Sequence, residues 1–260
     1  MPTTALIGHS GFVGSNLASQ FSFDDHYRSS NIHELRGKSF DLVVCAGIQA
    51  KKWWANQNPE EDWNGIKTLL DNLKTVSAKR FVLISTVDIY PRPSEVDEDT
   101  VDGFLANHPY GKHRYLAEEF VRERFPNHLV LRLPGLFGNG IKKNVIHDLL
   151  NNHEIGKINP ASIYQYYFLD RLHADMEKAS SLNLRLLNIS AEPVSSREII
   201  ERFFSGKSVG PETDFKASYD MHSKYWKEWG SPAPGYLYDR ATVLAQLGQF
   251  IKRQTPETET

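Results

Sequence analysis

Apolar positions along this chain alternate between short unbroken runs and helical spacing through the first two-thirds. Residues 3–7 (TTALI) read as a buried strand, and Val13, Leu17 and Phe21 then recur at helical spacing, with Gly14 and Ala18 beside them. The polar stretch 24–31 leaves room for only a brief second strand. Residues 41–46 (DLVVCA) predict the next buried strand, and Trp63, Ile66, Leu69, Leu70, Leu73 and Val76 trace an amphipathic helix. A strand at 80–85 (RFVLIS), a helix over 110–124 and a strand at 128–133 follow. Repeated strand–helix–strand units with wholly apolar strands require a parallel sheet covered on both faces.

Beyond Leu133 the pattern loosens. Residues 134–165 carry Gly135, Gly138, Gly140 and Pro160 around one helical piece near 144–150, and 166–169 and 184–189 read as further strands. Residues 195–198 (SSRE) have capping-box form, with Ile199, Ile200, Phe203 and Phe204 after them, and Asp239 caps a final helix bearing Val243, Leu244 and Leu247. The fold expected is a Rossmann-type α/β domain, a doubly wound parallel sheet with a small C-terminal substrate lobe. Residues 1–133 plus 166–190 form the core, 134–165 plus 191–255 the lobe, and 256–260 a flexible tail.

Composition narrows the functional classes. With 40% hydrophobic and 24% charged residues the chain is of ordinary globular type, and its net charge of −2 offers nothing to nucleic acid or a membrane surface. The single cysteine, Cys45, permits no intramolecular disulfide and fits a reducing compartment. No basic-then-apolar leader and no run near the ~20 apolar residues of a membrane span is visible, so a cytoplasmic protein is expected. The ten histidines include no H-x-x-x-H pair and no Cys/His array, so no metal is expected.

The strongest local signal is residues 8–14, a G-x-x-G-x-x-G run between a strand and a helix. Gly8 permits the tight turn, Gly11 lets backbone approach a pyrophosphate, and Gly14 allows close helix–strand packing. The helix N-terminus offers free N–H groups to phosphates, so Gly8, Ser10, Gly11, Phe12, Val13 and Gly14 are candidate dinucleotide contacts. The end of the second strand selects between cofactors. Asp24 and Asp25 come early, whereas Arg28 with Ser29 and Ser30 sits where a 2′-phosphate would be held, which favours NADP(H) and leaves NAD(H) open.

Four segments together resemble an extended short-chain dehydrogenase/reductase: the glycine turn, 45–47 (CAG), 84–90 (ISTVDIY) and 110–118 (YGKHRYLAE), with 132–138 (RLPGLFG), 168–170 (FLD) and 188–195 in support. The resemblance implies that Tyr110 is the general acid/base and that Thr86 hydrogen-bonds the same substrate oxygen, with Ser85 the lesser alternative. It places Ala46 and Gly47 along the cofactor and Pro134 near the nicotinamide. One position departs from the family pattern. Four residues after Tyr110 stands Arg114, where the family has the lysine that binds ribose and lowers the tyrosine's pKa. Tyr110, Arg114, Ala117 and Val121 share a helix face, so Arg114 is aimed correctly, and its charge favours a tyrosinate while its donors reach ribose hydroxyls. Arginine releases no proton near neutrality, so it cannot relay one as lysine can. Lys112 points away, and His113 lies roughly 60° off that face.

Asp88 lies near the strand end where substrates bind in open α/β sheets, and a loop cap is its alternative reading. Val87 follows Thr86 directly, where the dehydratase branch has an acid, which weakens a dehydratase reading. Lys142, Lys143 and Asn144 fall in the family's substrate loop and would suit a diphosphate. Lys51, Lys52, Trp53 and Trp54 could border the cleft, although the tryptophans equally suit packing. The resemblance implies a nucleotide sugar as the small-molecule substrate, a compact lobe like that of sugar 4-keto reductases, and homodimerisation through helices near 63–76 and 110–124. Three readings stand beside a reductase: a 4-epimerase that returns its hydride, a non-catalytic dinucleotide-binding regulator, and an RNA-binding relative, which the neutral charge disfavours.

Overall fold

The computed structural model describes residues 3–101 and 103–254. In chain order the elements are β1 (Thr4–Ile7), α1 (Phe12–Ala18), β2 (Asp25–Tyr27), β3 (Ser39–Cys45), α2 (Lys52–Gln57), α3 (Pro59–Leu73), β4 (Ser77–Thr86), β5 (Ser94–Val96), α4 (Pro109–Arg124), β6 (His128–Leu133), β7 (Gly135–Phe137), α5 (Val145–Asn151), β8 (Ile163–Tyr164), β9 (Tyr166–Phe168), α6 (Leu172–Ser181), β10 (Leu186–Asn188), β11 (Val194–Ser195), α7 (Ser196–Phe203), β12 (Asp220–Met221) and α8 (Arg240–Gln254). They divide into two compact units. The first runs to Arg92 and takes in Glu98–Leu133 and Asp170–Asn188; the second holds Pro93–Asp97, Pro134–Leu169 and the chain from Ile189 on.

The first unit is built on a six-stranded sheet in the order β10-β6-β4-β3-β1-β2, every pair parallel. Both parities of the central strands are buried. Ala5, Ile7, Val43, Cys45, Phe81, Leu83 and Val130 join one apolar cluster with Ile66, Leu69, Leu70 and Leu73 of α3 and Ala117 and Val121 of α4. Leu6, Val44, Val82, Leu129 and Leu131, of the other parity, are equally inaccessible. A strand covered on both faces cannot alternate, which is why these runs are continuously apolar. The chain turns outward from β1 to β2 and then back to β3 on β1's other side, so the topological switch lies between β1 and β3, where ligands bind in such sheets.

A charged knot crosses the apolar layer between sheet and α4. Glu118 is wholly buried and accepts from Ser85 Oγ (2.5 Å), Arg132 Nε (3.1 Å), Arg132 Nη2 (2.7 Å) and Arg122 Nη2 (2.8 Å). Arg132 Nη1 donates to Tyr90 Oη (2.7 Å), which Asn188 Nδ2 also meets (2.9 Å). One carboxylate on α4 is thereby tied to β4 and β6, and through Tyr90 to the end of β10.

In the second unit β7 pairs with β9 and β5 with β12 in parallel, while β8 and β11 are antiparallel. The rings of Phe137 and Phe168 stack at 4.9 Å, and Phe250 of α8 lies against both. Ser195 Oγ accepts from Glu198 N–H (3.2 Å), and Asp239 Oδ1 accepts from Thr242 N–H (3.1 Å), so both expected caps are formed. The division of the chain differs from expectation at three places, the smallest being 189–190, which fall in the second unit. Residues 166–169 fall in the second unit because β9 pairs with β7, and 93–97 join it because β5 finds β12. Helix α6 was not anticipated: its buried Leu172, Met176 and Ala179 are spread among polar residues. The tail at 256–260 lies outside the described residues.

Arg132→Met should leave Glu118 buried without its main partner and lower stability by about 3–5 kcal/mol, read by urea unfolding. Glu118→Leu combined with Arg132→Met should recover most of that loss, because removing both charges removes the desolvation penalty.

Candidate active site

The site is assembled at the carboxyl ends of β1, β3 and β4. Gly8 follows β1 with φ +86°, and a Cβ there would stand 2.4 Å from the Ala46 carbonyl oxygen. A Cβ on Gly14 would stand 2.1 Å from the Gly8 oxygen. Only glycine fits at either position, and Ala46–Gly47 are thereby pressed against the turn. Gly11 caps α1 without a side-chain hydrogen bond, so no side chain competes for the amides of the first turn, which include those of Phe12 and Val13. Ser10 and Gly11 are exposed.

The rim beside β2 bears on cofactor choice. Tyr27 ends β2, its carbonyl accepts from Gly8 N–H (2.7 Å), and Arg28 is the next residue, exposed together with Ser29. Arg28 Nε donates to Ser30 Oγ (3.0 Å). Both nearby acids are engaged elsewhere. Asp24 accepts from the amide and hydroxyl of Thr4 (2.8 and 2.9 Å), which hold its carboxyl below the usual range, and Asp25 accepts from the Tyr27 hydroxyl (2.8 Å). Among the described residues no carboxylate stands at the end of β2, and an arginine does.

Tyr110 opens α4 as its second residue. Its amide donates to Asn56 Oδ1 of α2 (3.0 Å), and its hydroxyl lies near Thr86 at the end of β4, whose side chain acts to lower its pKa. Ser85, by contrast, donates to Glu118. Asn107 fastens the loop after β4 to α4: its Nδ2 donates to the carbonyls of Asp88 (2.8 Å) and Ile89 (2.9 Å), and its Oδ1 accepts from His108 N–H (2.7 Å). Gly111 makes this approach possible, since a Cβ there would lie 2.2 Å from both Asn107 Nδ2 and the Asp88 oxygen. His108 Nδ1 caps α4 by accepting from Gly111 N–H (3.1 Å); burial, then the nearby Lys52 charge, push its pKa down. Asp88 accepts from Lys52 Nζ at 2.7 Å.

Arg114 sits where helix geometry puts it, its guanidinium 3.9 Å from the centre of the Tyr110 ring. Its donors are largely spent. Nη1 and Nη2 grip the Asp62 carboxylate (2.5 and 2.8 Å), Nη2 also donates to the Gln49 carbonyl (2.5 Å), and Nη1 to the Tyr110 carbonyl (3.2 Å). Both Arg114 and Asp62 side chains are 3% exposed. His113 Nδ1 stands 2.8 Å from the same Asp62 carboxylate. The expectation that Arg114 offers its fork to ribose therefore narrows to Nε, which is buried and has no partner. Nor does its charge decide the Tyr110 hydroxyl. Burial raises that pKa by more than Arg114 lowers it, and Asp88 raises it further.

Sequence reasoning missed Asp62, Asn56, Asn107 and His108, and left Lys52 only at the border of a cleft. Asp62 is hidden as the third acid of Glu60-Glu61-Asp62, a run that reads as ordinary dipole complementation at a helix start. In the second unit Pro134 is buried, and Lys142 and Lys143 are exposed. Asn144 is a cap: Oδ1 accepts from the Ile146 and His147 amides (3.0 and 3.1 Å) and Nδ2 donates to the Leu136 carbonyl (2.8 Å). That unit also brings His147 and His153 to one oxygen of Asp148 (2.9 and 3.1 Å), a group whose polar contacts are hydrogen bonds among themselves.

The residues present fit a dinucleotide: a glycine turn with no spare volume, an uncapped helix start, an exposed arginine after β2 and one buried unpartnered N–H beside Tyr110. Asp62→Ala should strand the Arg114 guanidinium and cost about 3–5 kcal/mol in chemical unfolding, whereas Asp71→Ala on the exposed surface of the same helix should cost under about 0.5 kcal/mol.

No curated protein matches this chain significantly. Solved structures share its fold. dTDP-4-dehydrorhamnose reductase from Bacillus anthracis, solved in complex with NADP, is 17% identical and superposes with a TM-score of 0.73 over 97% of this chain and 98% of that one. UDP-N-acetylglucosamine 4-epimerase from Methanobrevibacter ruminantium, in complex with UDP-N-acetylmuramic acid, is 14% identical with a TM-score of 0.72 over 96% and 97%. RMD from Pseudomonas aeruginosa, complexed with NADPH, is 17% identical with a TM-score of 0.69 over 96% and 99%. The family of NAD dependent epimerases and dehydratases matches residues 25–166, more than half of the sequence. The chain belongs to the NAD dependent epimerase/dehydratase family.

Proposed function

We propose that this protein is an NADP-dependent oxidoreductase that reduces a nucleotide-linked keto sugar. The observation that carries the reading is the buried Tyr110 at the start of α4, near Thr86 at the end of β4, held at the sheet's carboxyl edge by Asn56 and Asn107. A reduced dinucleotide held by its pyrophosphate at the glycine turn would supply the hydride for the carbonyl carbon. Tyr110 Oη then gives its proton to the carbonyl oxygen, which becomes the product hydroxyl, while the Thr86 hydroxyl hydrogen-bonds that oxygen as charge builds on it. The raised Tyr110 pKa suits this direction, since the group enters the reaction as an acid carrying its proton. Arg28 and the absence of an acid at the end of β2 favour the 2′-phosphate, and two of the similar structures hold NADP or NADPH.

The reductase reading draws on the compact second unit and on the similar reductase structure, and Lys142 and Lys143 suit the substrate's diphosphate. A 4-epimerase is the second reading, favoured by the likeness to the UDP-N-acetylglucosamine 4-epimerase. A homodimer working in the cytoplasm completes the proposal. No helix among the described residues is long and apolar enough to cross a membrane, and Cys45 is a buried free thiol.

A panel of nucleotide keto sugars with NADPH tests the reading. Wild type should oxidise NADPH stoichiometrically with one of them, and Tyr110→Phe should lose about 100-fold or more in turnover with little change in NADPH affinity. Equal turnover by both would remove Tyr110 from the reaction, and epimerised product without net NADPH loss would turn the reading to an epimerase. Arg28→Ala should weaken NADPH binding by roughly tenfold and leave NADH binding nearly unchanged, measured by nucleotide fluorescence titration. Equal effects on both would remove the 2′-phosphate clamp.

A further inference from the structure

The second unit holds a side-chain cluster that has no part in the proposed reaction. Helix α5 carries His147 and Asp148 in adjacent positions and ends at Asn152, whose φ of +52° is left-handed. Glu154 is left-handed as well, with φ +48°. Neither residue is a glycine, so both conformations are held by their surroundings. The two reversals turn the chain back on the helix, where His153 N–H donates to the Asp148 carbonyl (3.0 Å). His153 Nδ1 stands 3.1 Å from Asp148 Oδ1, and His147 Nδ1 stands 2.9 Å from the same oxygen. One ligand atom from each of the three residues lies within 4.8 Å of the other two. The lysines of this turn have other partners: Lys157 pairs with Glu154, and Lys207 Nζ donates to Asn152. Asp148 thus meets two imidazoles and, among the described residues, forms no ion pair with lysine or arginine.

We propose that His147, Asp148 and His153 bind a divalent transition-metal ion of the zinc class. Two neutral imidazoles and one carboxylate are a donor set that such an ion takes. Ligand atoms at the corners of a zinc tetrahedron stand about 3.3 Å apart, given zinc–ligand distances of about 2.0–2.1 Å. The two separations from Asp148 Oδ1, 2.9 and 3.1 Å, approach that edge, so the ion enters with small side-chain adjustments. It takes the place of the hydrogens that the rings direct at Oδ1. Each imidazole then coordinates through Nδ1 and carries its proton on Nε2. His153 is 59% exposed, which gives the ion a path in and leaves the fourth position to water. Magnesium and calcium favour all-oxygen sites, and two imidazoles select against them. The spacing of the two histidines matches no helical ligand pair, because His153 lies past the end of α5 and is returned to it by the turn. A bound ion would fasten α5 to that turn.

Calorimetric titration of the untagged, chelator-treated protein with Zn2+ tests the assignment without substrate or dinucleotide. Wild type should bind one equivalent at this site, and saturating Zn2+ should raise its unfolding temperature. His147→Ala, His153→Ala and Asp148→Asn should each weaken that binding by about tenfold or more. Asp148→Asn is the sharpest of these, since it keeps a hydrogen-bond acceptor for both rings and loses the anionic ligand. His153→Ala alters a surface side chain, so it remains decisive if His147→Ala fails to fold. His33→Ala, at an exposed position in the first unit, should leave the titration unchanged. Mg2+ in place of Zn2+ should give no heat that the three variants remove. Wild type that takes up no Zn2+ overturns the proposal, as does uptake that is equal in wild type and all three variants.

Discussion

The bidentate pair between Asp62 and Arg114 is the contact through which the first unit organises its candidate site. Both charges are withdrawn from water, a costly state that persists only when geometry and supporting hydrogen bonds are good. Here Asp62 on α3 receives two guanidinium bonds and one imidazole, while Arg114 also reaches back to the Gln49 carbonyl beyond β3. One ion pair thus joins the loop after β3, helix α3 and helix α4. Tyr110 rides on the last of these, one turn before Arg114, with its ring beneath the guanidinium.

The chemical consequence concerns which charge the tyrosine feels. A lysine at this position would leave a compact ammonium free to turn toward a ribose, whereas a planar guanidinium engaged by a carboxylate is fixed in direction and largely neutralised. The Tyr110 hydroxyl is governed first by its burial, which raises its pKa, and next by the Arg114 charge, which lowers it. The buried Glu118–Arg132 pair works two turns further along α4, where it fastens the helix to β4 and β6. Two ion pairs with separate partners therefore hold successive turns in the middle of α4's buried face. Thr86 and Tyr110 therefore lie on elements that are tied to one another.

Much of this was readable in advance because it is written in local periods. Strand β6 matches its predicted limits, and α4 and α5 lie within a residue of theirs, since apolar period and capping residues act over a few neighbours. The glycine turn was readable for a similar reason: Gly8 needs a positive φ, and Gly14 tolerates no Cβ. Misplaced boundaries were those set by distant pairing. Nothing near Ser94 or Tyr166 announces that one strand pairs with residues 220–221 and the other with 135–137.

The sequence by itself determined a doubly wound parallel sheet, a glycine-rich turn at the end of its first strand, and the placing of Thr86 at a strand's end and Tyr110 at a helix's start. These follow from spacing along one element, where helix and strand geometry leave few choices. It also placed Arg114 on the same face as Tyr110, which is correct. Only the tertiary structure decided what Arg114 does there. Its partner is an acid 52 residues earlier, on another helix, concealed in a run of three acids whose other two face solvent. Whether a charge is free or spent depends on what packs against it, and helical spacing carries no information about that.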